Sequence, residues 1–524
     1  MPAASATSDE LVLAIDCGTQ SVRALLVDLH GNVVAKFQLP VSGYISSHEG
    51  WLEHDADALW QTCAAACRGL VEANEARRSG IKGVVVTAQR GTIVPVDAGG
   101  RPLRPFISWL DQRRASNPRR FTLAWRLAFL AAGVQSTIAY LTREAELNWM
   151  QEHEAEKLAR MHKVLLVSGW LNYRLTGRFA DSVGSQVGYL PFDFRRQEWA
   201  RSWNWKWQAL PVRREQLAEL VGVGAVLGAL TAEAARSTGL CEGLPVIAAA
   251  ADKACEIIGA GAVTPDIGAL SYGTAATVNI TLARYVEVTP FLPPYPAALP
   301  GQYNPEVQIS RGYWMVNWFK QQFGSAECAA ASAQGVTPEL LFDRMVAAVP
   351  PGSQGLVLQP YWTPGIRFPG PHARGAVIGF SDNHTRAHLY RAILEGLAYA
   401  LKEGKERIEG KAKVHIRSLR VSGGGSQSDA AMQLTADIFN LPTARPHTFE
   451  TAGVGAAIAG AVGLGLHRDF PAALSEMTRL GRVFEPNATH VGLYAELYEG
   501  VYRRMYERLE PLYTRLQEIL DARR

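Results

Sequence analysis

Twice along the chain an apolar run stops at a short glycine-hydroxyl turn and then resumes. The first is "LVLAIDCGTQSVRALLVD" (11–28) and the second "DIGALSYGTAATVNITL" (266–282). Each pattern predicts a strand, a tight turn and a second strand. A hairpin so apolar must be buried within a sheet. At 524 residues the chain is too long for one hydrophobic core. The two hairpins therefore predict an internally duplicated α/β fold with a cleft between its halves; the alternative is two unrelated hairpins.

The intervening sequence fits this plan. Residues 31–41, "GNVVAKFQLPV", read as a third strand, so the chain begins as an antiparallel meander. Residues 55–78 have helical apolar spacing, with Asp55 placed as N-cap. "IKGVVVTAQ" is a buried-type strand whose polar end, Gln89-Arg90-Gly91-Thr92, lies where a parallel strand presents ligand-binding groups. Residues 120–160 read as largely helical. "RAHLYRAILEGLAYALKEGKERI" is an amphipathic helix, and "IRSLRVSGGGSQSDAAMQLTADIF" is a strand, a glycine turn and a helix. The chain closes in a helix from Tyr498 to about Leu520, with Tyr502, Met505, Leu509, Leu512 and Leu516 on one face and Pro511 kinking it.

Composition excludes several functions. A net charge of +4, without a long basic run, gives no support for a nucleic-acid partner. With 48% hydrophobic and 19% charged residues the chain is globular. Its six cysteines are scattered, with neither CxxC nor zinc spacing, which fits a reducing compartment. The opening "MPAASATSDE" lacks the regions of a signal peptide, and no apolar run is long enough for a transmembrane helix. A cytoplasmic protein without a membrane partner is expected.

The usual nucleotide motifs are missing. There is no GxxxxGK[ST], and "GAGAVT" (259–264) and "GVGAAI" (453–458) begin like GxGxxG but lack the last glycine. A different phosphate site is available. A turn of Gly, Thr, Gln and Ser offers N–H groups and hydroxyls to phosphate oxygens. Asp16 at its lip would repel phosphate directly but can hold Mg²⁺, usually through water; the alternative is an Asp that only caps the turn. Asp252 is a lone acid between an apolar strand and an Ala/Gly-rich helix. Such a carboxylate can have a raised pKa and act as a general base, or be a helix N-cap. In "SGGGSQS" (422–428) three glycines let the backbone approach a flat ligand ahead of a helix N-terminus.

These three elements, in this order, resemble the FGGY family of carbohydrate kinases, within the actin-like, hexokinase and Hsp70 ATPase-fold superfamily. The similarity spans nearly the whole chain, and its most specific segment is "VSGGGSQSDAAMQLTADIFNLPTARPHTFETAGVGAAIAGA". The resemblance implies two actin-like (ribonuclease H-like) α/β domains: residues 1–254, binding sugar and carrying the base; residues 255–480, binding nucleotide; and a C-terminal helical extension, 481–524. It implies ATP as phosphate donor in the cleft. Asp16 would organise Mg²⁺, and Gly18, Thr19, Gln20 and Ser21 would hold the distal phosphates. Gly273 and Thr274 match the second phosphate motif, and Gly423, Gly424, Gly425 and Ser428 the adenosine motif. Asp252 falls at the catalytic aspartate.

For the acceptor, Gln89, Arg90, Trp109, Asp111 and Arg113 match the family's substrate region, while Arg114 reads as a surface residue. Where glycerol kinases carry an acid and a large aromatic, this chain has Gly91 and Thr277, which predicts a larger substrate. Xylulokinases carry Met-His in place of Gln89-Arg90. Arg90 could bind a carboxylate or several hydroxyls, so a sugar acid stays open. The stretch "SRGYWMVNWF" (310–319) could line the cleft or an interface, or pack as an amphipathic helix on the core. The family's first signature has Lys where this chain has Glu146, expected to alter a surface or interdomain contact, with Trp149 as packing. The reading is an ATP-dependent kinase of a small sugar, polyol or sugar acid; a homodimer is a family-based expectation. The alternatives are a nucleotide-dependent conformational protein of the same superfamily and a catalytically weak sugar-binding regulator.

Overall fold

The computed structural model describes residues 10–117, 119–365 and 369–523. Residues 1–9, on which the lack of a leader was read, lie outside them.

Two six-stranded sheets organise the chain. In the first, Leu11–Cys17 pairs antiparallel with Ser21–Asp28, which pairs antiparallel with Val33–Pro40. On its other side Leu11–Cys17 runs parallel to Ile81–Ala88, then Pro245–Ala248, with Val226–Ala229 antiparallel at the edge. The second sheet repeats this order. Ile267–Tyr272 pairs antiparallel with Ala276–Asn279 and that with Glu306–Ile309. Ser418–Ser422 and Thr443–Pro446 follow in parallel, and Leu480–Phe484 closes the edge antiparallel. The sheets differ only in that the last edge strand precedes its neighbour in the first sequence half and follows it in the second. The expected duplication of two α/β domains is therefore present strand by strand.

The strand Leu11–Cys17 is buried along its whole length because helices cover both faces of its sheet. On one face Leu13, Ile15, Val84 and Val86 pack against the helices Ala56–Glu72 and Val167–Thr176. Asp55 caps the first of these as expected, accepting from the Ala58 N–H at 2.7 Å. On the other face Val12, Ala14, Val85 and Ile247 meet the helices Asp252–Gly259 and Thr451–Gly463. The second of these lies far along the sequence, so the chain crosses back from the C-terminal lobe to complete the N-terminal core. A boundary at 254/255 falls inside the helix Asp252–Gly259.

The two glycine motifs that fail as nucleotide loops have a packing role here. A Cβ on Gly455 would lie 1.8 Å from the Cys255 carbonyl oxygen, and one on Gly259 2.0 Å from that of Thr451. Only glycine lets these two helices touch backbone to backbone.

In the C-terminal lobe the helix Arg386–Ala412 is buried on every face from Tyr390 to Leu401, more enclosed than its amphipathic pattern predicts. Residues 480–484 are a sheet strand rather than part of a helical extension. Beyond them come the helix Ala488–Leu497, a wide turn at Tyr498–Tyr502 and the helix Arg503–Asp521, which runs through Pro511. The wide turn rotates the last helix, so Tyr506 and Tyr513 face inward with Met505 while Leu512 and Leu516 are exposed. Among the described residues no helix is long and apolar enough to cross a membrane.

Candidate active site

A cleft of about 1180 Å³ opens between the two sheets and is lined by residues of both hairpin turns. On its floor Asp16 and Arg23 are cross-strand partners at the mouth of the first hairpin. The Arg23 guanidinium donates to Asp16 Oδ2 at 3.0 Å and lies 3.6 Å from Glu450. Asp16 is only 4% exposed. Burial pushes its carboxyl up to about 6; Arg23 opposes this, and Asp252 and Glu450 add to it. Three acids therefore share a small region in which Arg23 is the cation that offsets Asp16.

The turn itself is closed by the Gly18 N–H donating to the Ser21 carbonyl at 3.1 Å. Gly18, Thr19, Gln20 and Ser21 all line the cleft. The Thr19 hydroxyl is already engaged: it donates to Gln89 Oε1 at 3.0 Å and accepts from Trp109 Nε1 at 3.0 Å. It therefore ties the phosphate-type turn to the wall expected to bind the acceptor.

Asp252 is the first residue of its helix, not its N-cap, which is Ala251. The segment before it is held from three sides. Ser182 Oγ donates to the Ala249 carbonyl, Thr87 Oγ1 to that of Ala250, and the Ala251 N–H donates to Gly184. Its carboxylate accepts from the Lys253 N–H at 2.7 Å. Burial raises its pKa, Lys253 and Arg90 oppose the shift, and Glu256 adds to it.

Opposite, Gly273 and Thr274 line the cleft between their strands. The Tyr313 and Trp314 N–H groups donate to their carbonyls. Ser310 and Arg311 line the cleft, while the following helix, Trp314–Phe323, buries Met315, Val316 and Phe319 in the core. The stretch 310–319 thus both lines the cleft and packs as a helix on the core. Of the glycine turn, Gly423 (φ +83°) and Gly424 reach the cleft. Gly425 does not: its Cα faces the Tyr313 ring, 2.3 Å from a would-be Cβ. Ser428 is instead the N-cap of the helix Asp429–Phe439 and donates to Asp343 at 2.5 Å.

The acceptor wall is more committed than its sequence suggests. Gln89, Arg90, Trp109, Asp111 and Arg113 all line the cleft. Arg90 makes a two-pronged pair with Glu306, at 3.2 and 3.1 Å. Arg113 pairs with Asp111 and Glu53 and lies over the rings of both Trp51 and Trp149, which meet edge to face. Arg114 is exposed, as expected. Thr277 is fully buried and does not line the cleft, so the neighbouring Ala275, not Thr277, sets the wall there. Glu146 is not at the surface: it is 9% exposed and lines the cleft, and Trp149 packs beside it in the core.

Sequence reasoning passed over Glu306, Glu450, Lys253 and Glu256. Lys253 and Glu256 carried a signal, an i,i+3 opposite-charge pair directly after Asp252. Glu306 and Glu450 are brought to the cleft by tertiary structure alone.

Comparison with known proteins places this geometry. The model of the FGGY family of carbohydrate kinases, N-terminal domain, matches residues 11–259, and that of the C-terminal domain matches residues 268–464. An uncharacterized sugar kinase of Escherichia coli K12 is 29% identical, covering 98% of this chain and 97% of its own. The xylulose kinase of Staphylococcus epidermidis (strain ATCC 12228) is 29% identical, covering 98% and 99%. Among solved structures, a xylulose kinase from Rhodospirillum rubrum is 26% identical with a TM-score of 0.76 over 96% of this chain and all of its own. A gluconate kinase from Lactobacillus acidophilus, 20% identical with a TM-score of 0.80 over 97% and 99%, shares the fold. The chain belongs to the FGGY family of carbohydrate kinases.

Proposed function

We propose that the protein transfers the γ-phosphoryl group of ATP to a hydroxyl of a small sugar or polyol, with Asp252 as the base. One observation carries this reading. Asp252, a half-buried acid whose pKa is raised, lies in one cleft with both glycine-hydroxyl turns and with the polar wall of Gln89 and Trp109. The cleft exceeds the roughly 300–1,000 Å³ of a single-ligand pocket, leaving room for a nucleotide and an acceptor together.

The roles follow from position. The turn at 18–21 and Gly273-Thr274 offer N–H groups to phosphate oxygens, and Gly423-Gly424 present bare backbone to the nucleoside. Asp252 accepts the proton of the acceptor hydroxyl as its oxygen bonds to the γ-phosphorus. The bond from that phosphorus to the bridging oxygen breaks, and ADP leaves with the electron pair. Asp16 suits Mg²⁺: the ion takes one or two carboxylates plus phosphates and water, and a buried acid crowded by Asp252 and Glu450 gains from a cation. Bound there, Mg²⁺ would neutralise charge on the phosphate oxygens. Gly425 and Ser428 have no direct part in this assignment.

The test is a coupled ADP-release assay with Mg²⁺-ATP against polyols, ketoses, aldoses and sugar acids. The reading predicts strong stimulation by one acceptor class. ATP binding without stimulation by any acceptor would contradict it.

A further inference from the structure

Lys253 stands between the base and the second glycine-hydroxyl turn. Its backbone N–H serves the Asp252 carboxylate, while its side chain reaches the second sheet. There Nζ donates to Ser271 Oγ and, at 2.7 Å, to Glu256 Oε2. Ser271 lies on Ile267–Tyr272, the strand that leads into Gly273 and Thr274. A Cβ on Gly273 would lie 3.6 Å from Nζ, so the ammonium sits beside the turn itself. Lys253, Asp252, Gly273 and Thr274 all line the cleft, and the Lys253 side chain is 21% exposed.

Glu256 fixes this position. Its other oxygen accepts from Ser422 Oγ at 2.6 Å. Ser422 is the strand neighbour of Ser271 and directly precedes Gly423. One acid thus holds Lys253 to the roots of both nucleotide turns. Burial works against the Lys253 charge, but Glu256 and Asp252 outweigh it and raise the pKa, with Arg90 opposing them. Burial works against the Glu256 charge too, but Lys253, Ser422 and Ser271 hold its pKa below the ordinary value. Both groups are ionised near neutral pH.

An ammonium has three N–H donors. Glu256 and Ser271 take two, and among the described residues nothing accepts the third. Phosphoryl transfer spreads negative charge over the oxygens of the moving group, and a donor fixed in advance beside that charge lowers the barrier. Resting on the kinase reading above, we propose that Lys253 is a further catalytic residue, whose remaining N–H bonds an oxygen of the transferring phosphoryl group, and that Glu256 is the positioning residue that aims it. The ammonium is flanked by Asp252, which takes the acceptor proton, and by the Gly273-Thr274 turn, which holds the donor. No proton passes through Lys253; it acts as a charge.

The test pairs steady-state kinetics with calorimetric binding of ADP, alone and with aluminium fluoride, a mimic of the phosphoryl group in flight. Lys253→Met should lower kcat by about 10²–10³, the cost of one fixed donor to a developing oxyanion, with the acceptor KM and the affinity for ADP alone much less affected. Wild type should bind ADP more tightly when aluminium fluoride is present, by about a hundredfold or more, and Lys253→Met should lose most of that gain. Because Lys253→Met leaves Glu256 unpaired and can unfold the chain, the double variant Lys253→Met/Glu256→Gln removes both charges and should show the same losses. Glu256→Gln alone should lower kcat, yet add nothing further in the Lys253→Met background; full addition of the two losses would strip Glu256 of its positioning role. Near-normal turnover in the Lys253 variants would overturn the proposal, as would an aluminium fluoride gain equal in wild type and variant, or absent from wild type. Wild type that releases no ADP with any acceptor would sink the kinase reading, and an aluminium fluoride gain that depends on Lys253 would still leave this one standing.

Discussion

Arg90 and Glu306 join the two lobes by a two-pronged ion pair, from the end of the strand Ile81–Ala88 to the edge strand Glu306–Ile309 of the other sheet. The sequence offers Arg90 as a free sugar ligand; in the structure its guanidinium is already matched. Glu306→Gln leaves that charge unpaired in a site where Arg90 also lies 4.9 Å from the Tyr295 ring. Removing one partner of a buried pair costs up to about 3–5 kcal/mol. We expect less here, about 1–2 kcal/mol, because the Arg90 side chain is 16% exposed. Calorimetry should show a lower melting temperature and initial-rate kinetics a higher acceptor KM. No change in either would remove the pair from the account.

The Thr19 hydroxyl links Gln89 and Trp109, so its loss should be felt by the acceptor more than by ATP. Thr19→Val keeps the shape and deletes two hydrogen bonds worth about 1 kcal/mol each. The expected result is an acceptor KM raised about five- to thirtyfold with the ATP KM changed much less. The reverse ranking in steady-state kinetics would mean that the hydroxyl serves phosphate after all.

Gly455→Ala should destabilise the fold by at least about 3 kcal/mol, at or beyond the usual cost of overpacking. Its methyl would collide with the backbone of Cys255, which no rotamer change relieves. Urea unfolding measures this; a loss under about 0.5 kcal/mol would show that the two helices separate freely.

Asp181 gives a pH-dependent test away from the cleft. Its carboxylate accepts from Ser168, Asn172, Gln186 and the Ser182 N–H. Burial nevertheless raises its pKa to about 6, those four bonds opposing the shift. The unfolded value is about 3.9. A folded pKa above the unfolded one favours the fold fully below about 4, and this contribution is lost as pH rises through about 6. Two units correspond to about 3 kcal/mol. The stability gap between wild type and Asp181→Asn should therefore widen from pH 7 to pH 5 in urea titrations. A constant gap would contradict the shift.

Much of this was legible in the sequence. The two hairpins, the parallel strand ending at Gln89 and the Asp55 cap are local patterns of alternation and turn chemistry, and they fold as read. The elements that depended on distant partners were not legible. The crossing of residues 451–463 to the first sheet rests on glycines whose spacing looks like a failed nucleotide motif. Gly425 and Ser428 belong to the right turn, but one packs on Tyr313 and the other caps a helix. Glu146 read as a surface or interdomain exchange, and only its place in the cleft decides between the two, because one sequence carries no information about which side of a short helix the cleft lies on.

The most direct test of the central claim is Asp252→Asn, measured by acceptor-dependent ADP release alongside nucleotide binding by calorimetry. The account predicts that kcat falls by about 10²–10⁴, the usual contribution of a positioned base, while ATP still binds within a few-fold of wild type. Near-normal turnover in that variant would contradict it and remove Asp252 from the chemistry.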